Sequence, residues 1–142
     1  MAVVVEPPEP TGGPALELVP LLEEPLVVVA PEGGVPGEPT AWGPWVLFPE
    51  GSHTRATIER ELRARGATVE VVAESHQPEV LREMARLGVG WTVLPEAQAV
   101  TARRRRDAPH PPVLTTRRLV VARRSGRVEL PAAEAFVAAL HP

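Results

Sequence analysis

The chain has 142 residues, enough for one domain that buries roughly two thirds of its unfolded surface without a covalent staple. It contains no cysteine, which excludes disulfides and cysteine-ligated metal or iron–sulfur centres and fits a reducing interior. A formal net charge of -3 gives no support for wholesale nucleic-acid binding.

In chain order, residues 2–5 form a short apolar run that predicts a buried strand beginning at once after the start methionine, which reads as a truncated start. Residues 6–14 are rich in Pro and Gly and predict irregular chain. Leu16, Leu18, Leu21 and Leu22 then precede a continuous apolar run over residues 25–30, expected to be a buried strand. Gly33, Gly34, Pro36, Gly37 and Pro39 make residues 31–44 an exposed loop.

Val46, Leu47 and Phe48 form the next strand, stopped by Pro49 and Gly51. The spacing that follows predicts a helix over about residues 53–65. Ser52 is its N-cap, Ile58 and Leu62 share a face, Glu59 with Arg63 and Glu61 with Arg65 are i,i+4 pairs, and Gly66 is the αL cap. A β-branched run over residues 68–73 predicts another strand. Pro78 opens a second helix to residue 87 with an apolar stripe of Val80, Leu81, Met84 and Leu87, and residues 91–94 make a third strand closed by Pro95. Trp91 is expected to pack in the core. Strand and helix alternating through short joins predict parallel strands linked by right-handed crossovers, with ligands at the carboxyl ends of the strands. Residues 49–54 and 74–77 are therefore the loops in which to look for function.

Arg103, Arg104, Arg105 and Arg106 present planar donor forks suited to phosphate or an acidic partner. They are followed by Asp107, Pro109, Pro111 and Pro112, which favours an exposed, solvated loop. A strand over residues 117–122, a turn at Ser125 and Gly126, and a helix from Pro131 complete the chain, the helix burying Ala135, Phe136, Ala139 and Leu140.

Every one of the 15 basic residues is Arg, Lys and Asn are absent, and Pro numbers 18, as in a protein from a GC-rich genome. Missing Asn and Pro-rich loops fit a thermophile, whereas missing Lys points the other way. No apolar run has the length of a membrane span and no signal peptide is present, so no membrane association and a cytoplasmic location are expected. The chain has no G-x-S-x-G elbow, no H-E-x-x-H and no glycine-rich phosphate loop, and four scattered His with one Asp suggest no metal site. No enzyme activity and no cofactor are expected.

The amides of Gly51, Ser52, His53 and Thr54 lie at a helix N-terminus, which attracts carboxylate or phosphate through unpaired N–H groups and the helix dipole. Plain capping by Ser52 explains the same residues. Glu50 beside them repels an anion, so a ligand would place a cationic or hydroxyl group there. His76 and Gln77 occupy the second loop, where His76 also reads as an ordinary surface residue.

The order Glu24-Pro25-Leu26-Val27-Val28-Val29-Ala30-Pro31, then Gly51-Ser52 before a helix with Arg55 and Ile58, then Met84 through Gly88-Val89-Gly90 to Leu94-Pro95, and last Phe136-Val137-Ala138-Ala139-Leu140, resembles the effector-binding domain of LysR-type transcriptional regulators. The resemblance spans nearly the whole chain and rests on the order and spacing of four weak motifs together. It implies an α/β fold of type II periplasmic-binding-protein kind, a mostly parallel sheet with flanking helices. It further implies two lobes with a small-molecule effector, an organic acid or amino acid, held between them. Residues 1–20 would be the end of a first-lobe strand and a hinge, residues 21–100 the second lobe, residues 101–114 a crossover loop, and residues 115–142 the return into an incomplete first lobe. The cleft would be lined by Glu50, Gly51, Ser52, His53, Thr54, His76 and Gln77. The family's winged helix-turn-helix is not in this segment, so no direct DNA contact is expected from it, and a homo-oligomer, such as a dimer, is. Two other classes remain open: an enzyme on the same kind of fold acting on a small carboxylate, and a stand-alone protein-interaction module.

Overall fold

The computed structural model describes residues 2–6, 16–99, 110–124 and 131–140. Strands β1 (Ala2–Val5) and β2 (Leu16–Val29) come first, then single 3-10 turns at Pro31–Gly33 and Pro39–Ala41. The alternating part follows: β3 (Trp45–Leu47), α1 (His53–Ala64), β4 (Val71–Glu74), α2 (Pro78–Arg86), β5 (Thr92–Pro95) and the short α3 (Glu96–Ala99). Strand β6 (Val113–Arg124) and α4 (Pro131–Leu140) close the chain. Two compact units emerge: unit 1, Met1–Glu24 with Arg117–Pro142, and unit 2, Pro25–Thr116.

In unit 2 the strand–helix alternation forms as expected. β3 runs parallel to β4, with Leu47 opposite Glu74, and Trp45 makes a further parallel bridge to Trp91. A mostly parallel sheet, however, is not what forms. β5 turns from that bridge to pair antiparallel with the end of β2, from Leu26 opposite Pro95 to Val29 opposite Thr92, and β1 is antiparallel to β6. Connector length fixes direction only between strands joined by a crossover helix, and neither β2 with β5 nor β1 with β6 is joined that way.

The core of unit 2 gathers Leu26, Val28, Trp42, Trp45, Val46, Leu47, Ile58, Leu62, Leu81, Val93 and Leu94. Trp91 packs against it half-buried, its ring 6.0 Å from that of Trp42 and 6.1 Å from that of Trp45. Each of the two buried indoles satisfies its N–H: Trp45 Nε1 donates to the Thr68 carbonyl and Trp42 Nε1 to that of Pro36, both at 2.9 Å. Gly90 is there because nothing larger fits. A Cβ on it would stand 2.8 Å from the Pro44 carbonyl oxygen, which accepts from the Trp91 amide at 2.8 Å.

Helix α1 follows its sequence signals: Ser52 Oγ accepts from the Arg55 amide at 3.0 Å, Ile58 and Leu62 are fully buried, and Gly66 (φ 84°) ends the turn. Arg63 pairs with Glu59 at 3.2 Å, but Arg65 donates to the Leu114 carbonyl at 2.6 Å rather than to Glu61. In α2 the buried stripe is Leu81 and Ala85 with Met84 partly covered; Val80 and Leu87 are 36% and 65% exposed. The expected stripe was a residue too wide on each flank, where apolar type alone does not tell covered from uncovered positions.

In unit 1, β6 lies between β1 and β2. Val120 and Val121 are buried, whereas Val3 and Val4 are 48% and 38% exposed, so the opening strand is not the buried one its composition suggests. β2 starts at Leu16 and passes through Pro20 and Pro25, and β6 outruns residues 117–122 at both ends. Ion pairs link the two strands: Glu17 with Arg123 at 2.8 Å, Glu23 with Arg118 at 3.1 Å and Glu24 with Arg117 at 2.7 Å. As one number rises the other falls, the signature of antiparallel neighbours. α4 forms from Pro131, but Ala135 and Ala139 are exposed, against expectation; the side chains of Phe136 and Leu140 are outside the described residues. Of the segment expected to be irregular, residues 6–14, all but Glu6 lie outside them too, as do the arginine run of residues 103–106 and the expected turn at Ser125 and Gly126.

Candidate functional site

The parallel register sets the two predicted loops beside each other. With Leu47 opposite Glu74, the chain leaving β3 and the chain leaving β4 depart from the same sheet edge, and the Ser75 amide reaches back to the Leu47 carbonyl at 3.2 Å. Each loop feeds a helix, α1 from Ser52 and α2 from Gln77. Two helix N-termini therefore open on one edge, as the crossover geometry predicts.

Of the predicted site residues, Glu50, Gly51 and His53 are exposed and Ser52 and Thr54 half-buried in the first loop; His76 and Gln77 are exposed in the second. Gly51 sits at φ 91° with open space where a Cβ would be, so its role in the turn is backbone conformation and not close packing. The Ser52 amide donates to the Pro49 carbonyl at 3.3 Å, and Ser52 Oγ is committed to the Arg55 amide. The His53 amide has no partner among the described residues and stands at the start of α1, a position where a helix N–H can meet water or an anion. The Gln77 amide is held by Ser75 Oγ at 3.1 Å, while its side chain makes no cap and is exposed.

The residue that sequence reasoning missed is Arg55. It is 8% exposed and sits in the first turn of α1, and its guanidinium joins both loops. Nη1 donates to the Phe48 carbonyl at 2.8 Å and to Glu74 Oε1 at 3.0 Å, while Nε donates to Glu59 Oε1 at 2.6 Å. The hydrogen bond from Arg55, helped by its charge and that of Arg63, holds the Glu59 carboxyl below its ordinary pKa. Glu59 four residues after Arg55, and a Glu ending the next strand, were the available signals. A buried Arg at the head of a helix demands carboxylate partners, and these two were in reach.

Ser52 gives its oxygen to a backbone amide and adjoins His53 in sequence, so the loop holds no nucleophile with a base aimed at it. Among the described residues no group of three His, Asp or Glu is placed to hold a metal ion. A separate hollow of about 340 Å³ in unit 1 is lined by Leu21, Leu22 and Leu119 with Glu6, Glu23 and Arg118, and its one cation is already paired with Glu23.

A family description, LysR substrate binding domain, matches residues 1–142. The regulatory domain of CcmR from Synechocystis PCC6803, solved in complex with 2-PG, is 26% identical, with 97% of this chain and 70% of that one covered and a TM-score of 0.71. The reduced form of OxyR from N. meningitidis is 24% identical over 97% of this chain and 67% of that one, with a TM-score of 0.64. The effector-binding domain of QuiR, in complex with shikimate, shares the fold at 14% identity and a TM-score of 0.66, covering 97% and 69% of the two chains. No curated protein matches. Matched along its whole length, the chain belongs to the LysR substrate-binding-domain family, whose architecture is the type II periplasmic-binding-protein-like α/β fold.

Proposed function

We propose that this chain senses a small-molecule effector for a LysR-type transcription regulator, and that the effector meets it at Glu50, Gly51, Ser52, His53, Thr54, His76 and Gln77. The observation that carries this reading is the joining of the two loops at one sheet edge, where the His53 amide at the start of α1, without a partner among the described residues, stands on the loop beside the one that carries the exposed Gln77. Such an edge takes an acid: a carboxylate against the His53 amide at the start of α1, and a hydroxyl or ammonium group toward Glu50 and Gln77. Solved relatives bound to 2-PG and to shikimate support a small-molecule effector of this kind. Unit 2 is read as the second lobe and unit 1 as the part of the first lobe that this chain carries.

The protein acts by binding and not by turnover. It works in the cytoplasm within a homo-oligomer, without a cofactor, and leaves DNA contact to other parts of the regulator. Effector binding shifts the population of its conformations toward the one the ligand prefers. The test is a thermal-shift titration with shikimate, 2-PG and a set of organic acids and amino acids. At least one acid should raise Tm in proportion to its concentration, and Gln77→Ala should weaken that response. A ligand whose effect survives both Gln77→Ala and His53→Pro, with the fold intact, would sink the assignment of the site, and a panel with no stabilising ligand would sink the sensing role.

A further inference from the structure

We propose that Arg55 is the positioning residue of this site: it fixes the loop before α1 and the loop after β4 to one another, so that the two halves of the effector contact are set before the effector arrives. The proposal rests on the site assigned above, and its observations are independent of that assignment. A guanidinium is planar and permanently charged, and its donors have fixed directions. Here Nη1 reaches across elements, to Phe48 before the first loop and to Glu74 at the end of β4, while Nε bonds within α1. Nη1 spans from the Phe48 carbonyl, at the mouth of the first loop, to Glu74, the last residue of β4. Nε is pinned by Glu59, itself held by Arg63 from the next turn of α1. The side chain is 9% exposed and Glu74 45%, so the clamp is buried at its Arg end and open at the carboxylate end, next to Ser75, His76 and Gln77.

The consequence is that Arg55 acts on the effector only through other groups. A lysine at this position keeps the charge, but a single ammonium does not reproduce the fork that engages Nε and Nη1 partners in two directions. A role limited to balancing Glu59 and Glu74 predicts that Arg55→Lys behaves as wild type; a role in holding the two loops predicts that it does not.

Amide hydrogen exchange tests this on the protein as it stands. The informative amides are Ser52, bonded to Pro49, and Ser75 and Gln77, bonded to Leu47 and to Ser75 Oγ. Arg55→Met should speed exchange at all three by about tenfold or more, the loss expected of a charge-assisted hydrogen bond, with Val28 and Val46 unchanged as controls. Glu74→Ala, at a carboxylate that is 45% exposed, should speed Ser75 and Gln77 but leave Ser52 slow. The double variant should do no more at Ser75 and Gln77 than either single change, because both cut one connection. Additive effects, unchanged Ser75 and Gln77 exchange in Arg55→Met or in Glu74→Ala, or full rescue by Arg55→Lys would each overturn the proposal. Calorimetric titration of the same variants with shikimate separates the two readings. Loosened loops with weakened binding support both, while loosened loops with unchanged shikimate affinity keep the clamp and overturn the site.

Discussion

The two units are held together by different physics. Unit 2 encloses all three tryptophans with Leu26, Leu47, Ile58, Leu62, Leu81 and Leu94, each of these aliphatic side chains fully withdrawn from water. In unit 1, by contrast, the neighbouring strands β2 and β6 are matched by carboxylate–guanidinium pairs, exposed at Glu17–Arg123 and Glu23–Arg118 and half-buried at Glu24–Arg117, and Val3, Val4 and Leu22 stay open to solvent. Apolar burial gives stability that salt and pH barely touch, whereas surface ion pairs fix register more than they add free energy. The lesson is a difference in what holds each unit: apolar burial in unit 2, and charge matching between neighbouring strands in unit 1.

The largest test of that difference is Trp45→Ala, which removes a fully buried indole and its bond to Thr68. It should lower the unfolding free energy by about 3–5 kcal/mol in urea titrations followed by far-UV circular dichroism. A loss under about 1 kcal/mol would mean that the tryptophan cluster is not the keystone of unit 2. Because the chain has no tyrosine and its tryptophans all lie in unit 2, their fluorescence follows that unit alone. A midpoint seen by fluorescence above the one seen by circular dichroism would sharpen the contrast.

Next comes Glu59, the point at which unit 2 also relies on charge. Its folded pKa is depressed by Arg55, so its contribution is present above the ordinary carboxylate range and is lost as pH falls through the lowered folded value. Glu59→Gln should cost about 1 kcal/mol at neutral pH and flatten the acid limb of the fluorescence-detected stability curve. An unchanged acid limb would remove Glu59 from the account.

The smallest effect is expected at the Glu24–Arg117 pair, whose side chains are 20% and 19% exposed. Arg117→Ala should reduce stability by about 1 kcal/mol or less at low salt, and the difference from wild type should shrink as salt is added. A larger, salt-independent loss would show that the pair is structural in the manner of a core, and the contrast between the units would fail.

Local signals were the legible ones. Ser52, Gly66 and Pro78 mark helix ends within a few residues of their own backbone, and Ile58 with Leu62 repeats at helical spacing, so these positions stand where the sequence places them. The same holds for the two loops, because a strand feeding a helix dictates which end of the strand they leave from. What escaped was long-range. The prolines at positions 20 and 25 argue against a strand interior, yet β2 runs through both, and nothing near Glu17, Glu23 or Glu24 announces arginines about a hundred residues later. Arg55 was hidden for a related reason: on a charged helix it looks like one more solvated residue until β4 brings Glu74 against it.

Those cross-strand bonds join residues 93, 95 and 106 positions apart. Unit 2, in contrast, closes through short crossovers within one stretch of chain. As the polypeptide leaves the ribosome, β3 to β5 can therefore collapse on each other while β6 has yet to be translated. β2 spends that interval with its Glu17, Glu23 and Glu24 half unmatched, protected from sticking to other nascent chains by the same negative charges that later select its partner. Its first half is made before β5 and β6 and gains its partner only when β6 arrives.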